Sequence, residues 1–475
     1  METQHPHPDA PWPPRIAAAE GPIYLAIADA IGAAIQAGQL RPGDRLPTHR
    51  ALADDLGVDL TTVTRAYAEA RRRGLLHATV GRGTFVGRQD ATPATPPPEP
   101  VAGPVDLGMN LPPQPLDPPL RDLLRQGLAE VLARPDAADL LTYRTGAGSA
   151  EEREAGAAWL RPTLGIVAAE RLLLCPGAQP ALLATLGAVA GAGDLVLTDA
   201  LTYPGLRGAA GQLGIRLLGL PGDADGLLPD AIAEACRTRG AKALYCVPTM
   251  HNPTTVTMPP ERRQAIAAEA RRHGLHIIED DAYGLLPSSP LPALATFAPE
   301  ITFHIATLSK VLNPALRAAY VVAPDVQRAG RLAVALRANV LMASPLLTGL
   351  LTGWVRDGTA AAILAAIRRE CAARQAMARD ILPPRSFEAH PEGLHLWLRL
   401  PPHWDRLDFV AHLRRREGLA VVPSDAFLVG DAVNAPAAVR VSLGAARDQA
   451  ALREALLRLA DALGEDRRTA FADVV

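Results

Sequence analysis

The chain has almost no lysine. Of its 48 lysine and arginine residues only Lys242 and Lys310 are lysine, and the other 46 are arginine. Solubility and salt bridging are met equally by either residue, so a lysine at position 310 points to something arginine cannot supply. That something is a neutral, nucleophilic amine: arginine stays protonated, whereas a desolvated lysine can lose its proton and form a Schiff base. Cysteine is also scarce. Cys175, Cys236, Cys246 and Cys371 have no CxxC or metal-ligand spacing, which predicts reduced core thiols in a cytosolic protein and no metal site. A net charge of −2 leaves no global field to select a partner. No apolar stretch reaches the roughly 18 residues of a membrane helix without charges or turn formers. The opening "METQHPHPDAPWPPR" lacks the basic start and apolar run of a signal peptide.

Proline, by contrast, is abundant and clustered. Six of the 44 prolines fall in "ATPATPPPEPVAGP", residues 91–104, a composition that predicts a semi-rigid, extended linker. The expected organisation is a small domain at 15–90, a linker at 91–105 and a large domain at 106–470.

In the small domain Ile23, Ile27, Ile31 and Ile35 recur every four residues, the stripe of a buried helix face. Thr48 is placed to cap a short helix carrying Leu52 and Leu56, which Gly57 ends. Asp59 is placed to cap a third helix whose Val63, Tyr67 and Ala70 face inward, and Gly74 closes it. "LLHATVGRGTFVG" reads as two short strands around a glycine-rich turn. Helix, helix, turn, helix, hairpin is the plan of a winged helix-turn-helix. Residues 1–90 have no net charge, with ten arginines against ten acids, but the distribution is uneven. Between 61 and 88 six arginines face the single acid Glu69. That stretch covers the third helix and the wing, the surfaces that would meet phosphates. Thr61, Thr62, Thr64 and Arg65 occupy the first turns, where a recognition helix reaches base edges. On charge alone, a helical docking domain with a solvated arginine face fits as well.

After the linker, short apolar runs alternate with helical segments: "RLLLC", "DLVLT", "IRLLGL", "ALYCV", "LHIIED" and "ITFHIA". Their continuous apolarity predicts strands buried on both faces, hence an α/β domain with a largely parallel sheet whose ligands gather at the carboxyl ends of the strands. From about 385 the chain reads as a smaller α/β subdomain, with "GLHLWLRL" and "AVRVSL" as strands. Gly177, Asn252, Asp280 and Lys310 all follow predicted strands. Together they meet the needs of a pyridoxal phosphate site. Lys310 offers the amine, and Asp280 a carboxylate for the ring nitrogen. Gly177, Ala178 and Gln179 open a helix whose amides can hold phosphate. Thr307, Ser309 and Arg317 complete that pocket. Tyr203 can stack on the ring, and Asn252 and Tyr283 can hydrogen-bond its phenolic oxygen. Each signal is weak alone; their order and shared location give them weight.

Two resemblances sharpen this reading. "LPTHRALADDLGVDLTTVTRAYAEARRRGLLHATVGRGTFV" resembles the GntR-family winged helix. The likeness implies DNA contacts from Arg50 and from the wing at Arg82 and Gly83. This chain has Asp59 and Leu60 where the family has serine and arginine, and Arg65 is the candidate substitute for the base contact. Residues 106–465 resemble the class I aminotransferases of fold type I. The likeness rests on Ser309, Lys310, Pro314, Leu316 and Arg317, on Asp280 with Tyr283, and on Asn252 with Pro253. It implies that Arg440 in "VRVSLGA" binds a substrate carboxylate. It also implies that Tyr143 in "LLTYRTGAG" reaches the phosphate of a neighbouring subunit, hence a homodimer. Ala315 replaces the family's usual glycine. The combination resembles the MocR/GabR-type transcriptional regulators, which implies a cytoplasmic DNA-binding regulator sensing pyridoxal phosphate or an amino compound through Lys310. The alternatives are a working aminotransferase with a secondary DNA module, and a DNA-binding protein whose large domain only dimerises. The intact Lys310, Asp280, Asn252 and Arg317 argue against the last.

Overall fold

A computed structural model describes residues 23–41, 43–72, 75–79, 83–86, 105–115, 117–144, 147–430 and 435–465. The chain divides into two compact units, Met1–Val101 and Ala102–Val475.

In the first unit three helices, Ile23–Gln36, His49–Leu56 and Leu60–Arg72, precede an antiparallel hairpin of Leu76–Thr79 and Gly83–Val86. The isoleucine stripe is buried in its middle only: Ile27 and Ile31 are fully buried and pack with Leu52, Val63, Tyr67 and Ala70, Ile35 is partly buried against them, and Ile23, in the first turn, is 53% exposed. Thr48 caps the second helix, its hydroxyl oxygen accepting from Ala51 N at 3.3 Å, and Gly57 ends it in the left-handed region at φ 62°. Asp59 Oδ1 accepts from Thr61 N at 2.7 Å and starts the third helix. Tyr67 ties that helix to the preceding turn by donating to Pro47 O at 2.8 Å. Gly74, expected to close the helix, lies outside the described residues. Thr48→Ala removes one satisfied helix-end donor and is expected to cost about 1 kcal/mol, read from a denaturant titration of this unit.

The second unit is built on a seven-stranded sheet in the order Leu172–Cys175, Ala319–Val322, Thr302–Thr307, His276–Asp280, Ala243–Cys246, Leu195–Asp199, Arg216–Leu220. The six strands expected from the apolar runs are present. A seventh, Ala319–Val322, was not expected; it runs antiparallel to both neighbours, and the other pairings in the sheet are parallel. Apolar clusters cover both faces, with Tyr320 and Ile305 in one and Leu244 and Ile277 in the other, as burial of parallel strands requires.

A second, four-stranded antiparallel sheet joins Phe387–Ala389, His395–Arg399, Ala438–Ser442 and Val422–Pro423 over its own core. This small subdomain is not confined to residues beyond 385. Leu107 is fully buried in its core, and Val105–Asp106 pairs in parallel with Leu419–Ala420. The helix Thr359–Ile381 joins the two parts, giving Ile363 and Ile367 to the large core and Ala378 to the small one. The four cysteines carry no disulfide. Among the described residues no single helix is long and apolar enough to cross a membrane.

Candidate cofactor site and nucleic-acid interface

A cavity of about 500 Å³ opens at the carboxyl ends of the parallel strands. Ala178, Gln179, Tyr203, Asn252, Asp280, Tyr283, Thr307, Ser309, Lys310, Arg317 and Arg440 all line it. Residues up to 262 positions apart in sequence therefore meet; most come from the loops that follow the parallel strands, Ala178 and Gln179 from the first turn of a helix, and Arg440 from the middle of the small-subdomain strand Ala438–Ser442.

Lys310 follows the strand Thr302–Thr307. Burial, reinforced by the nearby Arg440 charge, pushes its amine down to about 8, although Asp280 opposes the shift. Asp280 ends the strand His276–Asp280. Its Oδ2 accepts from the Tyr245 hydroxyl at 2.7 Å, whereas Oδ1 is buried without a partner. Burial raises this carboxyl, against the Tyr245 hydrogen bond and the His304 and Lys310 charges. An unpaired buried acceptor is costly unless a donor arrives. A protonated ring nitrogen is such a donor.

The phosphate end is prepared by backbone shape. Gly177 caps the helix Ala178–Val189 at φ 104° with no side chain satisfying the first amides. The positive φ favours glycine, and a Cβ there would stand 2.9 Å from Arg317 Nη2 and displace the guanidinium from the helix end. Arg317 itself adopts φ 44°, a left-handed conformation uncommon for a non-glycine residue. Unsatisfied helix amides beside a guanidinium form an anion site. Thr307 Oγ1 accepts from Ser309 N at 3.2 Å, fixing the turn into Lys310. Tyr203 donates to Gln179 Oε1 at 3.3 Å. A carboxylate with an open acceptor, an amine held near neutrality and an amide-plus-arginine cradle fit pyridoxal phosphate.

One expected residue sits differently. Asn252 was expected at a phenolic oxygen, but its Oδ1 accepts from Arg440 Nη1 at 2.8 Å, so its amide NH₂ is the group left for that role. Tyr143, expected to serve a neighbouring subunit, does not line the cavity of its own chain; it is 82% exposed and lines a separate hollow beside Arg144 and Glu152.

The sequence reading missed Tyr245, Asn110, His395 and Phe427. Asn110 Nδ2 donates to the Tyr283 hydroxyl oxygen at 2.8 Å and lies 3.3 Å from His395 Nδ1. His395 is held down at about 3 by burial and the Arg440 charge, so it is neutral and accepts there. The Phe427 ring lies 5.0 Å under the Arg440 guanidinium, a cation–π support. Behind the cavity, on the other face of the sheet, His304 Nδ1 lies 2.9 Å from Glu279 Oε2, which also accepts from Ala295 N. Burial pushes neighbouring Asp281 up, and it faces this cluster, 3.7 Å from His304 Nε2, rather than the cavity.

In the amino-terminal unit Arg50, Thr61, Thr64 and Arg65 are exposed and Thr62 is half-buried. Several are already engaged. The Thr61 hydroxyl donates to Asp59 Oδ1 at 2.5 Å, and the Thr64 hydroxyl to Leu60 O at 2.9 Å. The Arg65 guanidinium stacks 4.2 Å over the Tyr24 ring, so reaching a base edge requires it to leave that ring. Gly83 opens the second wing strand. Arg82 lies outside the described residues.

A winged helix-turn-helix unit and an α/β unit whose cavity fits pyridoxal phosphate thus occur in one chain. Comparison with known proteins agrees. The family described as "Bacterial regulatory proteins, gntR family" matches residues 23–86, and "Aminotransferase class I and II" matches residues 103–459. The HTH-type transcriptional regulator YdeF of Bacillus subtilis, itself uncharacterised, is 32% identical over 94% of this chain and 96% of its own. The HTH-type transcriptional regulator TauR of Rhodobacter capsulatus is 28% identical over 86% of this chain and 90% of its own. Among solved structures, LysN of Thermus thermophilus, an alpha-aminoadipate aminotransferase complexed with N-(5'-phosphopyridoxyl)-L-leucine, is 25% identical. It superposes with a TM-score of 0.68 over 76% of this chain and 92% of its own. The chain belongs to the class I and II aminotransferase family and, through its gntR-type head, to the MocR/GabR-type regulators.

Proposed function

We propose that this protein is a DNA-binding transcriptional regulator whose large unit binds pyridoxal phosphate and senses an amino compound. The observation that carries the reading is the pairing, in one chain, of a gntR-family head with a cavity that keeps Lys310, Asp280, Arg317 and Arg440 together. Pyridoxal phosphate supplies an aldehyde that takes up amines and stabilises charge on the carbon beside them. The protein's part is to bind and orient. Asp280 pairs with the ring nitrogen. Amides at Gly177, Ala178 and Gln179, with Thr307, Ser309 and Arg317, hold the phosphate. Tyr203 lies against the ring, and Tyr283 and the Asn252 amide hold the phenolic oxygen. Lys310 releases its proton near pH 8 and presents a free amine. Arg440 takes the carboxylate of the amino compound edge-on. Exposed Tyr143 serves the partner subunit of a homodimer, and the protein works in the cytoplasm. The shared presence of Lys310, Asp280 and Arg440 also supports a second reading, turnover as an aminotransferase; release of a keto acid from an amino acid donor would establish it.

On DNA, Thr61, Thr62, Thr64 and Arg65 face the major groove, Arg50 adds a further DNA contact, and Arg82 with Gly83 touches the backbone. Duplexes selected by the full-length protein from a random pool provide the test. Arg65→Ala should relax preference at one position of each half-site, by roughly 1–3 kcal/mol for a guanine contact. Arg82→Ala should weaken all sequences alike and reduce the salt slope by about one. Failure of the full chain to retain any duplex would sink the regulator reading and favour the enzyme one.

A further inference from the structure

We propose that the segment Asp106–Leu111 reads the cavity: Gly108 and Asn110 position Arg440, Lys310 and Tyr283, and a carboxylate-bearing ligand acts through these two residues on the linker that precedes them. This rests on the cofactor-site reading above.

The two cations that a ligand must engage are both held by main-chain carbonyls of this one segment. Arg440 Nη2 donates to Gly108 O, and Lys310 Nζ donates to Asn110 O. The Asn110 side chain adds the 2.8 Å bond to Tyr283. Arg440 spends its other terminal nitrogen on Asn252, and its buried Nε has no partner. A carboxylate binding both terminal nitrogens therefore competes with Gly108 O. Lys310 gives up Asn110 O when its amine is committed to the cofactor, and is released toward that carbonyl when the amine of the ligand takes its place.

The segment has little slack to absorb such a change. Asp106 Oδ1 accepts from Gly108 N at 2.8 Å and from Met109 N at 3.2 Å, closing a tight turn. Leu107 is buried in the small core, and its carbonyl accepts from Ser442 N at 2.7 Å. Ser442 stands two residues from Arg440 on one strand, so a shift of that strand moves the latch and its anchor together. At the far end, a Cβ on Gly444 would overlap Leu111 O, so this end is packed too. Val105, held by Gly418 O at 2.7 Å, follows directly on residues 87–104, which lead back to the winged unit. A displaced Gly108 carbonyl therefore moves Asp106 and Val105 instead of being taken up by a loop.

The test uses the full-length chain and N-(5'-phosphopyridoxyl)-L-alanine, a stable probe that carries ring, phosphate and carboxylate. Hydrogen exchange at residues 105–111 should change at least tenfold when the probe is bound, and affinity for a selected duplex should change with it. Asp106→Ala removes the acceptor that closes the turn onto Gly108 and Met109, together with a negative charge that supports Arg440, and keeps every side chain that lines the cavity. Asp106→Asn removes the same charge, so in calorimetry both variants should bind the probe with the same affinity, yet Asp106→Ala should lose most of the duplex response. Asp106→Asn, which keeps the accepting oxygen, should restore that response. The proposal is overturned if exchange at 105–111 is unmoved while calorimetry shows the probe bound, or if Asp106→Ala responds like the parent. A parent chain that binds neither probe nor pyridoxal phosphate would instead remove the underlying cofactor reading, and the proposal with it.

Discussion

Lys310→Ala should give a colourless protein. The parent chain with pyridoxal phosphate is expected to absorb in the visible and, after borohydride treatment, to keep the cofactor through denaturation. The variant should do neither, because no other amine lines the cavity. Lys242→Ala is the matched control. Lys242 lies at the opposite, amino-terminal end of its strand, its amide donating to Leu195 O, and that variant should behave like the parent. The pH dependence has a definite sign. Burial and the Arg440 charge lower the Lys310 amine to about 8, so it is protonated below that pH and free above it. Only the free amine is nucleophilic, so the visible band should form about tenfold faster per pH unit below 8 and level off above it. An ordinary exposed lysine would keep accelerating to beyond pH 10. Loss of the band from Lys242→Ala, or acceleration persisting past pH 10, would displace Lys310 from the site.

The cavity was legible in the sequence where a residue's role depends on its own strand. Gly177, Asp280 and Lys310 each follow an apolar run, and parallel sheets place such positions at one edge. Residues whose roles arise only from distant contacts were not legible. Tyr245 reads as one more aromatic in a buried strand, and nothing local shows that its hydroxyl meets Asp280. Asn110 sits in a proline-flanked stretch 173 residues before Tyr283. The Asn252 contact with Arg440 spans 188 residues, and pattern alone does not show which atom of an amide such a contact consumes. Ala319–Val322 went unread because a run of four apolar residues is too short to show a period, even with Pro324 and Asp325 behind it, although the strand closes the sheet between Leu172–Cys175 and Thr302–Thr307. In the winged unit the caps at Thr48 and Asp59 were local and legible. The stacking of Arg65 on Tyr24 was not, because it joins two helices.

Asp280→Ala should weaken pyridoxal phosphate binding more than any other change on the cavity wall that leaves Lys310 in place. It leaves a buried cationic ring nitrogen unpaired, at a cost of about 3–5 kcal/mol. That corresponds to roughly a 100- to 3,000-fold rise in Kd at about 1.4 kcal/mol per decade. Asp281→Asn is the discriminating control: Asp281 faces His304 behind the sheet, so its loss should disturb stability and leave the cofactor titration close to that of the parent. Tyr245→Phe separates the carboxylate from its support. Burial already raises Asp280, and the Tyr245 hydroxyl opposes that rise by donating to Oδ2. Removing it raises Asp280 further. Cofactor affinity, which needs the ionised carboxylate, should therefore begin to fall at a higher pH as the solution is acidified, and should recover toward the parent value at alkaline pH. A hydrogen bond to a charged group contributes about 1.5–3 kcal/mol, so at the lower end of the pH range the loss should approach that size. Affinities measured from pH 5 to 9 for the parent, Tyr245→Phe and Asp280→Ala decide the matter. A pH-independent loss in Tyr245→Phe would make the tyrosine a packing residue, and an unchanged Kd in Asp280→Ala would remove this carboxylate from the ring nitrogen.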